Sequence, residues 1–140
     1  MLEPSISDLS STVEALGEVL PESLKWEWDD RFDGVLAAFE VTDKDRIFAV
    51  LTARLGQAWD ITNINDAPDG IRVAIQGFGG LTANQLLFTS DWNHDLVLLV
   101  FWWPWGNGAT ISIRCIPYGL DASNSDIESV KSTFRVAFGV

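Results

Sequence analysis

A chain of 140 residues is near the commonest domain size and long enough to bury a core without disulfides or metals, so one domain is expected. Its 47% hydrophobic and 21% charged residues, with 7 Trp and 8 Phe, exclude intrinsic disorder. A formal net charge of -11 excludes the cationic surface that displaces phosphate counterions, so no nucleic acid is expected as a direct ligand.

The charge is uneven. Residues 1–45 hold twelve acids against three bases, which puts most of the negative charge in the first third. Such a surface keeps a protein dispersed and suits a protein partner of basic charge. Cys115 is the only cysteine, so neither an internal disulfide nor a Cys-x-x-Cys pair can form. Met1–Pro4 lacks the basic and apolar regions of a secretory signal. The most apolar run, Leu96 to Trp105, falls short of the roughly 20 residues that span a bilayer as a helix. Together these point to a cytoplasmic location and no membrane.

Ile6, Leu9, Val13, Leu16 and Leu20 recur at helical spacing over Ser5–Leu20, which predicts an amphipathic helix ended by Pro21. From Leu24 the period changes to two. Leu24, Trp26 and Trp28, then Val35, Ala37, Phe39 and Val41, alternate with more polar neighbours around Asp33-Gly34, which predicts a hairpin with both tryptophans on one side. A second helix is expected from a Thr42 cap to Gly56, with Ile47, Val50, Leu51 and Leu55 as its stripe; a strand over Arg46–Thr52 is the competing reading.

Beyond Gly56 the pattern predicts strands at Ala58–Ile64, Ile71–Gln76, Gln85–Thr89, Leu96–Trp103 and Ala109–Ile116. Asn65–Gly70 and the glycines of Gly77–Leu81 would serve as turns between them. Leu96–Trp103 is apolar throughout, as in a central strand covered on both faces. Asn107-Gly108 predicts a type I′ turn into the last strand, where Cys115 falls among the inward side chains. Asn124 or Ser125 starts a final helix carrying Ile127, Val130 and Phe134. The expected fold is α+β: an antiparallel meander of about 5–7 strands with helices at the N-terminus, middle and C-terminus, in two layers.

Chemical motifs are sparse. His94, between Asp91 and Asp95, is the only histidine; it could act as a base or ligand, but Asp and Asn form turns. Glu27 and Asp29 share one strand face and could bind a cation or solvate a hairpin, yet no calcium-loop pattern surrounds them. The glycines at 77–80 lack the spacing and lysine of a phosphate loop. No catalytic residue, metal site or cofactor is predicted.

Phe101-Trp102-Trp103-Pro104-Trp105 is the most unusual feature. Alternation sends Trp102 and Trp103 to opposite faces, while Trp105 is left on a turn where a large ring is ordinarily disfavoured. Tryptophan anchors many interfaces, so the expectation is a noncatalytic protein-interaction module, either homodimer or monomer, with Trp102, Trp103, Trp105 and the acids as binding groups. In size and charge the chain resembles secretion chaperones and toxin-neutralising immunity proteins, a likeness of class that rests on no motif. The rival expectation is a small-molecule binder or unfamiliar enzyme. Its ligand would lie between sheet and helices, walled by Trp and reached by Arg114, Arg72 or His94. Nucleic-acid mimicry by the acidic third is a further alternative.

Overall fold

A computed structural model describes residues 4–19, 24–31, 33–55, 57–90, 96–119 and 124–140. In chain order its elements are α1 (Pro4–Val19), β1 (Glu27–Asp29), β2 (Gly34–Glu40), α2 (Lys44–Arg54), β3 (Gln57–Trp59), α3 (Asp69–Gly77), β4 (Leu86–Thr89), β5 (Leu96–Pro104), β6 (Thr110–Gly119) and α4 (Asn124–Phe138). Single 3₁₀ turns lie at Val41–Asp43 and Ile64–Asp66. The strands form one six-stranded sheet in the order β1-β2-β6-β5-β4-β3, with every neighbouring pair antiparallel. Strands β3 to β6 make the predicted meander, and the N-terminal hairpin docks its second strand on β6. The fold is α+β, and residues 44–54 are the helix that the Thr42–Gly56 pattern predicted.

Strand β5 occupies the centre because nothing in it needs water. Val97 through Phe101 are fully buried in succession, which requires cover on both sheet faces. On one face Leu98, Val100, Trp102, Ile113 and Cys115 meet Val13 and Leu16 of α1, Ile47 and Leu51 of α2, and Val130 and Phe134 of α4. Trp26 and Trp28 also pack here, as their alternation required, with Trp26 4.5 Å from Phe138 and Arg135 5.0 Å over the Trp28 ring. On the other face Val97, Leu99 and Phe101 meet Ile71, Ala74 and Ile75 of α3.

That second cover corrects the sequence reading. Ile71–Gln76, predicted as a strand, is α3, and it adds a helix beyond the predicted two layers. The residues fit both periods: Ile71, Val73 and Ile75 read as a strand, Ile71, Ala74 and Ile75 as a helix. Packing selects the helix, since Ala74 is buried while Val73 is 62% exposed. Ala67 and Pro68 are extended ahead of the helix, and Asp69 places a carboxylate at its positive end. The glycines after it end this helix rather than join strands. Gly80, at φ 79°, donates its N–H to the Ile75 carbonyl at 2.9 Å, a left-handed cap that side chains resist.

The strand predicted over Ala58–Ile64 stops at Trp59. Asp60 interrupts it, because its Oδ1 accepts the backbone N–H of Thr62 at 2.8 Å and of Asn63 at 3.2 Å, curling the chain into a turn. These bonds, first the one from the Thr62 hydroxyl, favour the carboxylate and hold the Asp60 pKa below its ordinary value. Asp43 rather than Thr42 stands at the N-cap of α2. Pro21, Gly56 and the Asp91–Asp95 segment with His94 lie outside the described residues.

One polar bond ties the meander's edge to the core. The Trp59 indole Nε1 donates to Thr89 Oγ1 at 3.0 Å, and Thr89 is fully buried. Thr89→Val keeps the volume but removes the acceptor. Its expected cost is about 1 kcal/mol, measured by urea unfolding.

Candidate functional site

The aromatic run divides as strand alternation requires. Trp102 is 6% exposed on the helix-covered side, with ring centroids 5.4 Å from Phe39 and 5.8 Å from Phe48. Trp103 lies on the opposite side, 5.0 Å from Phe101 and under the Arg114 guanidinium at 4.6 Å. Trp105, beyond the strand, is 50% exposed.

The loop that carries Trp105 is held by hydrogen bonds along its length, although it is not the predicted type I′ turn. Among the described residues only Asp33 has positive φ without being glycine, so Asn107 is not in the left-handed region that such a turn needs. Instead Trp105 donates its N–H to the Thr110 carbonyl at 2.8 Å and accepts from Gly108 at 3.3 Å, closing a four-residue loop. Asn107 Oδ1 accepts the N–H groups of Ala109 (2.8 Å) and Thr110 (3.1 Å), doing with its side chain what positive φ would have done with the backbone. Ala109 in turn accepts the Val41 N–H at 2.8 Å, which fastens the loop to the 3₁₀ turn that leads into α2.

Between this loop and α2 opens a cleft of about 280 Å³, lined by Val41, Lys44, Asn84, Trp102, Pro104, Trp105, Gly108, Thr110 and Ile111. Its walls are mainly apolar, and among the described residues that line it Lys44 is the charged one. Phe48, one helical turn after Lys44, is 39% exposed and packs against Trp102. The sequence reading found Trp102 and Trp105 but missed Val41, Lys44 and Asn84. Those come from α2 and the loop before β4, and no local signal tells which segments a hairpin tip will meet.

The other predicted site residues gather elsewhere or not at all. Arg114 Nε donates to Asp29 Oδ2 at 3.1 Å, with only 12% and 13% of the two side chains exposed. Asp29, Arg114 and Trp103 thus form a carboxylate–guanidinium–indole stack that ties edge strand β1 to the middle of the sheet. Glu27 is on the same strand and exposed. Arg72 pairs with Asp69 on the outside of α3.

A larger groove of about 530 Å³ runs between α1 and α4, lined by Glu14, Gly17, Ser132, Thr133, Val136 and Ala137, with no aromatic side chain among the described residues that line it. Cys115 is fully buried, and burial pushes its thiol pKa far up, so it behaves as a small hydrophobe as predicted. Among the described residues no group of three or more His, Cys, Asp or Glu is placed to hold a metal, and no helix is long and apolar enough to cross a membrane.

Fold and site together define an α+β domain that carries an aromatic cleft at the tip of its central hairpin. The chain matches no family model, no curated protein and no solved structure.

Proposed function

We propose that this chain is a noncatalytic cytoplasmic module that captures a protein partner at the Trp105 cleft. The observation that carries this is a large apolar ring left half in water on a loop whose backbone is fixed by hydrogen bonds at both ends. Such a ring gives contact area with little ordering cost, because the loop is already in place before the partner arrives.

Of the polar contacts open to the competing small-molecule reading, two are engaged elsewhere, and the third, His94, lies outside the described residues. Arg114 is on the sheet face away from α1, α2 and α4 and is engaged with Asp29, while Arg72 is out on α3. The layer between sheet and helices is filled by side chains such as Phe88, Phe134, Leu16 and Leu51, all fully buried. Self-association through a sheet edge is also disfavoured at β3. Asn63 Nδ2 donates to the Ala58 carbonyl at 3.3 Å and covers an edge acceptor, and the strand is three residues long. Bringing a second copy to the cleft would set two chains of net charge -11 together, which favours the monomer.

Trp105→Ala is expected to leave the thermal melt within about 5 °C of wild type, because half the ring is already hydrated. The same variant should lose at least one protein that wild type retains from the native extract, while Glu27→Gln keeps it. A Trp105→Ala chain that captures the same set as wild type, or that unfolds at room temperature by circular dichroism, would remove the proposal.

A further inference from the structure

Resting on the cleft as the docking point, we infer that the partner is a basic polypeptide that lays an arginine across Trp105, with Glu40 as the countercharge. Three observations meet here. The first is the row in which these residues lie. Glu40 on β2 pairs with Thr110 on β6, and Thr110 accepts the Trp105 N–H at 2.8 Å. Ring-bearing backbone and carboxylate-bearing backbone are therefore two strand spacings apart, about 10 Å.

The second observation is that an indole, a guanidinium and a carboxylate already meet elsewhere on this sheet, drawn from β5, β6 and β1. Trp103, Arg114 and Asp29 form an indole, guanidinium and carboxylate set, with the cation 4.6 Å from the ring centroid and 3.1 Å from the acid. Arg135 over Trp28 repeats the stacking. Trp105 has no such cover: among the described residues no cation stacks on it and no ring touches it, and exposed Glu40 has no ion pair. Among the described residues, then, the row at the hairpin tip holds an indole and an acid with no guanidinium between them.

The third is charge. A net charge of -11 draws cationic partners and repels anionic ones at long range. Close in sequence to the cleft's Val41 and Lys44 are the acids Glu40, Asp43 and Asp45, and Arg46 is held by Asp43 at 3.2 Å. Lys44 lines the cleft and opposes an arriving cation. Its presence makes a sign test available. Neutralising Lys44 tightens binding of a cationic occupant and weakens binding of an anionic one, and neutralising Glu40 does the reverse.

The experiment uses the full-length, nitrogen-15-labelled chain at about 0.15 M salt, where surface attraction is screened beyond roughly 8 Å. It follows the tryptophan indole signals on addition of hexa-arginine, hexalysine or hexaglutamate, and Trp105 is assigned by the signal missing in Trp105→Ala. Hexa-arginine is expected to move that signal and to bind at least about threefold tighter than hexalysine, in line with an exposed cation–π contact. Glu40→Gln should weaken it by about threefold and Lys44→Gln should tighten it by a similar factor, with thermal melts unchanged because both side chains are exposed.

Equal hexa-arginine affinity with and without Trp105 would overturn the arginine assignment, as would binding of hexaglutamate that depends on Lys44. An extract protein retained through Trp105 but not displaced by hexa-arginine would sink the assignment alone and leave the docking point standing. If no captured protein depends on Trp105 and no peptide moves its indole, both fail.

Discussion

Phe101→Ala should lower the free energy of unfolding by about 4 kcal/mol, the upper range for removing a buried aromatic ring. Phe101 is fully buried at the middle of β5, with centroids 5.1 Å from Phe78 and 5.0 Å from Trp103, and it lies in the core that receives α3. Without the ring, Ile71 and Ile75 would border a void that a nine-residue helix cannot close by itself. Two readouts follow. Urea unfolding gives the lost stability, and hydrogen exchange should show α3 amides losing protection before those of β2 and β6. A loss below about 1 kcal/mol, the central value for any point substitution, would mean that α3 is not held by this core.

Gly34→Ala is the second large effect, expected at about 3 kcal/mol, the upper end for overpacking. A methyl group at Gly34 would stand 2.5 Å from the Cys115 carbonyl oxygen and 2.7 Å from Ile116 Cγ1. The first contact is backbone, and it cannot withdraw without loosening the β2–β6 ladder through Val35 and Cys115. Gly106→Ala is the control: nothing lies within 4 Å of its added carbon, so its stability should match wild type within about 0.5 kcal/mol. Equal melts for the two variants would show that β2 does not approach β6 as closely as described. Because β2 also carries Glu40, the Gly34 variant should disturb the hairpin-tip row as well, whereas Trp105→Ala leaves the sheet untouched.

The readable parts of the fold share one property: their side-chain pattern admits a single period. Val97 through Phe101 are too uniformly apolar for any place but the middle of a two-sided sheet. Trp26 and Trp28 alternate with charged neighbours and can bury only one side. Residues 44–54 are the exception: their pattern also admitted a strand over Arg46–Thr52, and the burial of Ile47 and Leu51, four apart, selects the helix. The separation of Trp102 from Trp103 follows from pleat geometry alone, before any partner strand is known.

The misreadings fall where local chemistry was ambiguous or where a polar side chain competed for the backbone. Ile71–Gln76 satisfies both periods, and only the open face of β5 made burial of Ala74 worth more than burial of Val73. Asp60 ended a strand through hydrogen bonds to its own following residues, and Asn107 replaced a two-residue turn with a four-residue one by the same means. Neither choice can be read from hydrophobic spacing.

Local order along the chain was enough to establish the α+β class, the central strand, the opposed tryptophans and the unusual position of Trp105, because each depends on residues within one element. The cleft needed the folded chain. Lys44, Asn84 and Trp105 are far apart in sequence and meet only after β6 has paired with β2 and the Val41 N–H has found the Ala109 carbonyl. Long-range pairing of this kind is set by which faces remain to be buried, a property of the assembled sheet.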